Sequence, residues 1–410
     1  MVSIAILGFG VVGGGTAALI DRNRALLEGR LGDTIEVRYI LDLREFPDSP
    51  YADRVVHDIA PILADPDVSV VVETMGGAQP AYDYSRAALE AGKSVVTSNK
   101  QVVATYGVEL LDCARANGVR YLFEASVGGG IPVLRPLSED LAVNRIDGIA
   151  GILNGTTNYI LTRMFGAGAT FAEALAEAQE RGYAERDPSA DVDGIDTCRK
   201  ICILTALATG ILPDAAFVHT EGISGIRTAD VRAAAAAGYS IRLLGRMVPE
   251  GGNYYVMVAP HFVPDACPLA HTSDVFNAVL CTGNCVGDVM FYGRGAGALP
   301  TASAVVGDIM NAATNQTVAV PQWKREPDRL CDFSYFSCRH YIALSGADRN
   351  AISVIFGEVE FLAAPEGEIA FLTSAVSERE CRDKLDRLHA VGCRTLSDIR
   401  VYEPTKEQQA

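Results

Sequence analysis

Six residues near the start of the chain limit how it can fold more than any others: Gly8-Phe9-Gly10-Val11-Val12-Gly13. They follow an apolar run, Val2 to Leu7, that reads as a buried strand, and they precede a stretch to about Leu27 that reads as a helix. A G-x-G-x-x-G between strand and helix is a dinucleotide fingerprint, because each glycine meets a separate steric demand. The first makes a tight turn, the second lets backbone approach a pyrophosphate, and the third lets the helix pack on the strand. N–H groups of the first helical turn are then left for the phosphates. Gly8, Phe9, Gly10, Val11, Val12 and Gly13 are therefore candidate cofactor contacts, with Gly14 and Gly15 read as packing.

The pattern continues as the fingerprint requires. A second strand, Ile35 to Leu41, ends in Asp42, where an acid accepts hydrogen bonds from adenosine ribose hydroxyls and favours NAD. Arg44, two residues on, would instead meet a 2′-phosphate and favour NADP, so NAD and NADP both stay open. Strand Val68 to Glu73 leads into Thr74-Met75-Gly76-Gly77. Helix Tyr82 to Ala91, strand Ser94 to Thr97, helix Val108 to Asn117 and strand Arg120 to Glu124 follow. Alternating strands and helices with apolar strand runs predict a parallel sheet covered on both faces. Ligands lie beyond the carboxyl ends of such strands, which brings in Thr74, Gly76, Ser98 and Lys100.

A second stretch, GYAERDPSADVDGIDTCRK from Gly182 to Lys200, places Glu185, Asp187, Asp191, Asp193 and Asp196 ahead of Arg199 and Lys200. A helix ends near Gly182, a turn runs through Asp187-Pro188-Ser189, and a new helix starts near Asp193 with Ile195, Cys198, Ile201 and Cys202 on its buried face. On that helix Asp196 and Lys200 stand four residues apart, acid first, the spacing of an ion pair.

Composition sets the frame. At 410 residues, two or three domains are expected. Hydrophobic content of 49% and charged content of 21% are those of a soluble globular chain, and a net charge of −16 argues against nucleic acid as partner. The longest largely apolar run, Ile201 to Leu212, is too short to span a bilayer. No basic n-region precedes an apolar segment. Ten scattered cysteines read as free thiols in a reducing cytoplasm; the two closest pairs, Cys198/Cys202 and Cys281/Cys285, lack a nearby histidine and the first lies on a buried helix face, so a zinc site is not expected.

Seven segments then carry a resemblance: ILGFGVVGGG, ETMGG, TSNKQVVA, EASVGGGIPVLRPL, GILNGTTNYIL, the Gly182–Lys200 stretch and GRGAGALPTASAVVGDI. In this order they resemble the motifs of homoserine dehydrogenase, over roughly residues 1 to 320. The resemblance implies NAD(P)H-dependent interconversion of L-aspartate 4-semialdehyde and L-homoserine in threonine and methionine biosynthesis. It implies Lys200 as proton donor, Asp196 and Lys100 as polar residues of the same site, and Glu185 as ligand of the substrate amino group. Asp191, Gly182, Tyr183 and Thr156 fall on the substrate side, and Gly295 near the nicotinamide. The run Glu124 to Ile131 looks like the family's sodium loop, with backbone carbonyls of Glu124, Val127, Gly129 and Ile131 as ligands; a Gly-rich hinge is the other reading.

The chemistry agrees with that reading. Aldehyde reduction needs a hydride donor and a proton for the nascent alkoxide, and a lysine ammonium supplies the proton. Asp196 would keep it charged, Glu185 would face the substrate ammonium, and N–H groups in Asn154-Gly155-Thr156-Thr157 would meet its carboxylate.

The expected architecture is α/β: a Rossmann-type domain over 1–130 with 301–316 packing back on it, then an α+β substrate and dimerisation domain over 131–300. A linker over 317–332 leads to residues 333–410, whose β-α-β-β-α-β order predicts a ferredoxin-like module. That module looks like an ACT domain but lacks the usual Asp-x-x-Gly in SGADRNAIS, so effector binding and a structural or oligomerising role both stay open. The expected protein is a cytoplasmic homodimer or homotetramer acting on a small molecule. Two rivals remain: another NAD(P)-dependent amino-acid-type dehydrogenase, and a non-catalytic nucleotide sensor on the same fold.

Overall fold

The computed structural model describes residues 1–314 and 321–404. The chain forms β1 (Val2–Leu7), α1 (Val11–Leu31), β2 (Ile35–Leu41), β3 (Val55–Val56), α2 (Ala60–Ala64), β4 (Val68–Glu73), α3 (Ala81–Glu90), β5 (Ser94–Thr97), α4 (Lys100–Ala116), β6 (Tyr121–Leu122) and α5 (Leu134–Ser138). Next come β7 (Ile146–Ile152), α6 (Gly155–Ala167), α7 (Phe171–Glu180), α8 (Ser189–Val192), α9 (Ile195–Thr209), β8 (His219–Thr220), α10 (Thr228–Ala236), β9 (Tyr239–Glu250), β10 (Asn253–Pro264), β11 (Phe276–Gly283), β12 (Gly287–Arg294) and α11 (Ala298–Ala313). The tail forms β13 (Ser337–Cys338), β14 (His340–Ser345), α12 (Arg349–Phe356), β15 (Val359–Leu362), β16 (Glu368–Thr373), β17 (Val376–Ser377), α13 (Glu378–His389) and β18 (Arg394–Val401).

Two compact units divide these elements: Met1–Val143, Cys202–Asp214 and Gly293–Glu326 in one, the remainder in the other. In the first, six strands run in the order β3-β2-β1-β4-β5-β6, all parallel. That order is the Rossmann arrangement, which reverses direction between β1 and β4 and opens its ligand crevice there. Ile4, Ile6, Ile40, Val70, Val72 and Val96 of the sheet pack with Ile20 of α1 and with Val305 and Ile309 of α11.

In the second unit a large mixed sheet runs β12-β11-β7-β9-β10-β18-β14-β16-β15, with β8 beside β10. Its last four strands, with α12 and α13, have ferredoxin-like topology, every neighbouring pair antiparallel. The module is not set apart behind a linker. Its strand β18 pairs in parallel with β10, His261 opposite Arg400 and Phe262 opposite Val401. Phe262 stacks on Tyr341 with centroids 4.4 Å apart, a contact worth about 1 kcal/mol beyond area burial. Buried Arg400 bonds Glu378 at 2.6 and 2.8 Å and Glu221 at 2.7 Å, which fixes α13 to both parts of the sheet.

Several boundaries differ from expectation for local reasons. Helix α4 starts at Lys100, not Val108, because the Asn99 side chain caps it by accepting from the Val102 N–H. The strand expected to run to Glu124 stops at Leu122, since the Glu124 carboxylate turns away to cap α5. Helix α9 begins at Ile195 because Gly194 (φ +82°) breaks the chain, and the turn before it contains the short helix α8. Residues 131–143, 202–214 and 293–300 fall in the first unit, not with 144–201. Within the expected linker, buried Trp323 lies so close to Gly107 that a Cβ there would come within 2.7 Å, and Lys324 exchanges backbone bonds with Gly210 and Leu212. Residues 315–320 and 405–410 of the expected segments lie outside the described residues. All ten cysteines are free thiols, and among the described residues no helix is long and apolar enough to cross a membrane.

Candidate active site

In the first unit the nucleotide residues meet at the carboxyl ends of β1, β2, β4 and β5. Gly8 has φ +89°, and a Cβ on it would press on Thr74 O at 3.1 Å. On Gly13 a Cβ would stand 2.1 Å from Gly8 O, so the third glycine is what lets α1 approach the turn. Nothing lies within 4 Å of the corresponding point on Gly10 or Gly76. That side of the loop backbone is open. Val11 is exposed on the first turn of α1, while Phe9 and Val12 pack on the core. The Thr74 hydroxyl donates to Gly8 O at 2.7 Å and ties the β4 loop to the glycine loop.

The carboxylate of Asp42 accepts from the Phe9 N–H at 2.8 Å and from Arg44 Nε and Nη2 at 3.0 Å each. These bonds, the guanidinium's first, hold the carboxyl well below the ordinary carboxylate range. Acid and base, rivals in the sequence, thus occur as one pair. Ser98 donates its N–H to Glu73 O, and Lys100 is the first residue of α4.

One residue here escaped the sequence reading. Glu73, the last residue of β4, is fully buried; Thr97 Oγ1 donates to it at 2.6 Å and the Met75 N–H at 2.7 Å. Burial pushes its carboxyl up to about 7. Nearby Asn99 donates to the carbonyls of Met75 and Gly77 and so holds the same loop. A strand that ends in an acid was the only signal, and it looked like an ordinary strand end.

In the Gly-rich loop Gly128 and Gly129 have φ +75° and +56°, and a Cβ on Gly129 would sit 2.5 Å from Gly295 O. The buried Glu124 carboxylate accepts from the N–H groups of Val133, Leu134 and Arg135, a helix N-terminus that needs an anion. Its own N–H donates to Asp308, whose carboxyl is pushed up to about 7 by burial and by the charge of Glu124. Ile131 N–H donates to Gly128 O, which closes the turn through Val127 to Ile131.

In the second unit the site grows from the end of β7. Asn154 caps α6, its Oδ1 accepting from the Thr157 N–H at 2.9 Å. Its Nδ2 donates to Asp191 at 2.7 Å and Asp196 at 3.0 Å. Lys200 Nζ donates to Asp196 Oδ2 and to Leu153 O, both at 2.7 Å, and both charged side chains are buried. The helical spacing thus forms its ion pair, but in the interior, where an uncompensated charge would cost several kcal/mol. Burial raises the Asp191 carboxyl, opposed by the Asn154 bond, with the charge of Asp196 adding to the rise.

Lys200, Asp196 and Asp191 are therefore brought together, and the Asn154 side chain joins them. The sequence alone points only to the backbone of that turn; an asparagine at an N-cap is the signal for its side chain. Thr156 Oγ1 donates to Tyr183 O at 2.6 Å, and the half-exposed Tyr183 ring meets Tyr159 edge-on. Gly182 ends the α7 turn with φ +72°. Glu185 stands on the exposed loop before α8, its carbonyl accepting from Gln179 Nε2.

A Rossmann nucleotide unit and a second unit with a carboxylate-held buried lysine define an NAD(P)-dependent oxidoreductase. Residues 8–124 match the homoserine dehydrogenase NAD-binding domain, and residues 132–310 match the homoserine dehydrogenase domain. The chain is 42% identical to the homoserine dehydrogenase of Pseudomonas aeruginosa over 81% of its own length and 77% of that protein's. It is 44% identical to the Synechocystis enzyme over 76% and 73%. The crystal structure of a homoserine dehydrogenase from Thiobacillus denitrificans superposes with a TM-score of 0.89 at 34% identity, covering 98% of each chain. A hyperthermophilic archaeal homoserine dehydrogenase mutant in complex with NADPH matches 76% of this chain and 97% of its own, with a TM-score of 0.65 at 30% identity. The chain belongs to the homoserine dehydrogenase family, and its activity is the NAD(P)-dependent interconversion of L-homoserine and L-aspartate 4-semialdehyde.

Proposed function

We propose that Lys200 is the proton donor to the alcohol oxygen in this reaction, with Asp196 and Asn154 setting its place and charge. The observation that carries this reading is the buried ammonium fixed from two sides, by Asp196 Oδ2 and by Leu153 O. The bound nicotinamide supplies or receives the hydride. In reduction Lys200 polarises the aldehyde and protonates the nascent alkoxide; in oxidation it takes the proton back. Asp196 favours the ammonium by charge and hydrogen bond, and the Asn154 amide orients that carboxylate. Glu185 and Asp191 face the substrate ammonium, while Thr156 holds the Tyr183–Gly182 segment beside it. Lys100 assists at the nucleotide side.

The glycine loop, Thr74, Gly76, Ser98 and Gly295 cradle the cofactor. NADP is preferred over NAD in this reading, since Arg44 both neutralises Asp42 and presents a guanidinium to a 2′-phosphate. The carbonyls of Glu124, Val127, Gly129 and Ile131 would hold a sodium ion, for the two left-handed glycines turn backbone without side-chain obstruction and a hard cation prefers oxygen. The ion is structural there and enters no chemical step. The protein is a cytoplasmic homo-oligomer serving threonine and methionine biosynthesis, with the ACT-like module in a structural role.

Initial rates with L-homoserine and L-aspartate 4-semialdehyde, each with NADP(H) and NAD(H), test the reading together with Glu185→Ala. That variant should raise KM for the amino acid and leave kcat within a few-fold. A loss confined to kcat would assign Glu185 another role, and equal rates with both cofactors would remove the argument from Arg44.

A further inference from the structure

Around His340 the C-terminal module gathers side chains that the reaction does not use. His340 opens β14 and is fully buried; Cys338 lies two residues earlier, Glu378 and Cys381 on the first turn of α13, and Asp398 on β18. Two triads of donor atoms each lie within 4.8 Å of one another: Cys338, His340 and Glu378, and His340, Cys381 and Asp398. Nε2 faces Cys338 Sγ at 3.6 Å and Glu378 Oε1 at 3.8 Å, whereas Nδ1 faces Asp398 Oδ1 at 2.8 Å. The two nitrogens of one ring point apart, so a single ion takes one triad or the other. Both oxygens of Glu378 are already held by Arg400, and a dication there would sit against a buried guanidinium. Among the described residues, neither Cys381 nor Asp398 is bonded to a guanidinium.

We propose that His340 Nδ1, Cys381 Sγ and the Asp398 carboxylate form a binding site for a divalent transition metal of zinc's class, with solvent in the fourth position. The donor set decides the class: thiolate and imidazole suit zinc, whereas magnesium and calcium take oxygen. Charge sets the valence, because a neutral imidazole, one thiolate and one carboxylate balance a dication where net charge would be costly. Cys381 Sγ and Asp398 Oδ2 are 4.0 Å apart. Tetrahedral bonds of zinc length would place such a pair about 3.5 Å apart. His340 Nδ1 lies 2.8 Å from the other oxygen, Oδ1, so the carboxylate would turn one oxygen to the ion and part from the ring by about half an ångström to reach the same geometry. The Asp398 side chain is 29% exposed, which gives solvent and ion a way in. With Nδ1 on the metal, Nε2–H faces Glu378 and Cys338, the outer carboxylate contact that orients metal-bound histidines. Binding displaces to solvent the thiol proton of Cys381 and the proton shared by His340 and Asp398. It also clamps α13 to β14 and to β18, the strand that joins the module to β10.

The test is a Co2+ titration of the full chain, stripped with chelator under reducing conditions and read by visible and near-ultraviolet absorption. Expected are about one ion per chain with a thiolate-to-cobalt charge-transfer band, displacement by Zn2+, and a higher Tm in the loaded protein. Cys381→Ser should abolish the band. Asp398→Asn should weaken binding by about 100-fold, and Cys338→Ser by no more than about tenfold. A wild-type titration without the charge-transfer band, or the same band persisting in Cys381→Ser, overturns the proposal.

Discussion

Replacing Lys200 with Met removes the ammonium and keeps an aliphatic stem of similar length. Two losses follow. Asp196 stays buried without its cation, still held by Asn154 Nδ2 at 3.0 Å. Stripping one side of a buried pair destabilises a protein by about 3–5 kcal/mol. Loss of a general acid lowers kcat by about 10²–10⁴, which is about 2.7–5.4 kcal/mol of barrier. The two effects are equal in size, so a slow variant alone does not separate chemistry from unfolding. The double variant Lys200→Met with Asp196→Asn does. With both members of the pair neutral, neither is left as an unpaired buried charge, and stability should return to within about 1 kcal/mol of the parent. Turnover should stay down by about 10²–10⁴ in both variants. Cofactor affinity should hold within about twofold, because the groups proposed to grip the cofactor, the glycine loop with Asp42 and Arg44, include neither substituted side chain. Urea unfolding, cofactor titration and the absorbance change on NADPH oxidation supply the three readings. A double variant that regains both stability and rate would show that Lys200 serves folding and not proton transfer.

Three further variants test the nucleotide unit. Gly13→Ala should lower Tm and abolish cofactor binding, since its Cβ would stand 2.1 Å from Gly8 O, whereas Gly10→Ala should keep the parent Tm and raise only the cofactor Kd. Equal Tm losses in both would refute the distinction between packing glycine and contact glycine. Arg44→Ala should lower kcat/KM for NADPH relative to NADH by about tenfold or more, the loss of one charged hydrogen bond, and an unchanged ratio would place the 2′-phosphate elsewhere. Glu73 has a carboxyl raised above its unfolded value, so its contribution is present at low pH and is lost as pH rises from about 4.5 through about 7. Glu73→Gln should therefore match the parent near pH 4 and exceed it by about 3 kcal/mol near pH 8 in chemical unfolding; a parallel pH profile would refute the assignment.

How much of this was legible in advance follows from the range of the forces involved. The glycine loop, the alternation of five of the six strands with helices and the Asp196–Lys200 spacing are local, and each is a steric or periodic rule acting within a few residues; the two-residue β3 is too short to carry such a pattern. The ferredoxin-like order of the tail was legible for the same reason. What the sequence concealed was long-range pairing. Residues 139 apart in the chain, Phe262 and Val401, meet as neighbours in parallel strands, and no propensity marks that junction. The same holds for side chains whose partners come from elsewhere. Asn154 looked like a turn residue until Asp191 and Asp196 arrived from 37 and 42 positions away. Glu73 looked like a strand end until Thr97 did.

The His340 cluster is the extreme case. Its donors come from two strands and a helix, His340 and Asp398 being 58 residues apart, so it has none of the close spacing by which metal motifs are read. The cysteine pairs that did have close spacing led away from it. Buried Cys198 and Cys202 face the core of α9, where neither thiol has a histidine beside it in sequence, while the lone Cys381 lies against His340. Spacing reports on one element at a time, and a site assembled by sheet pairing is visible only once the pairing is known.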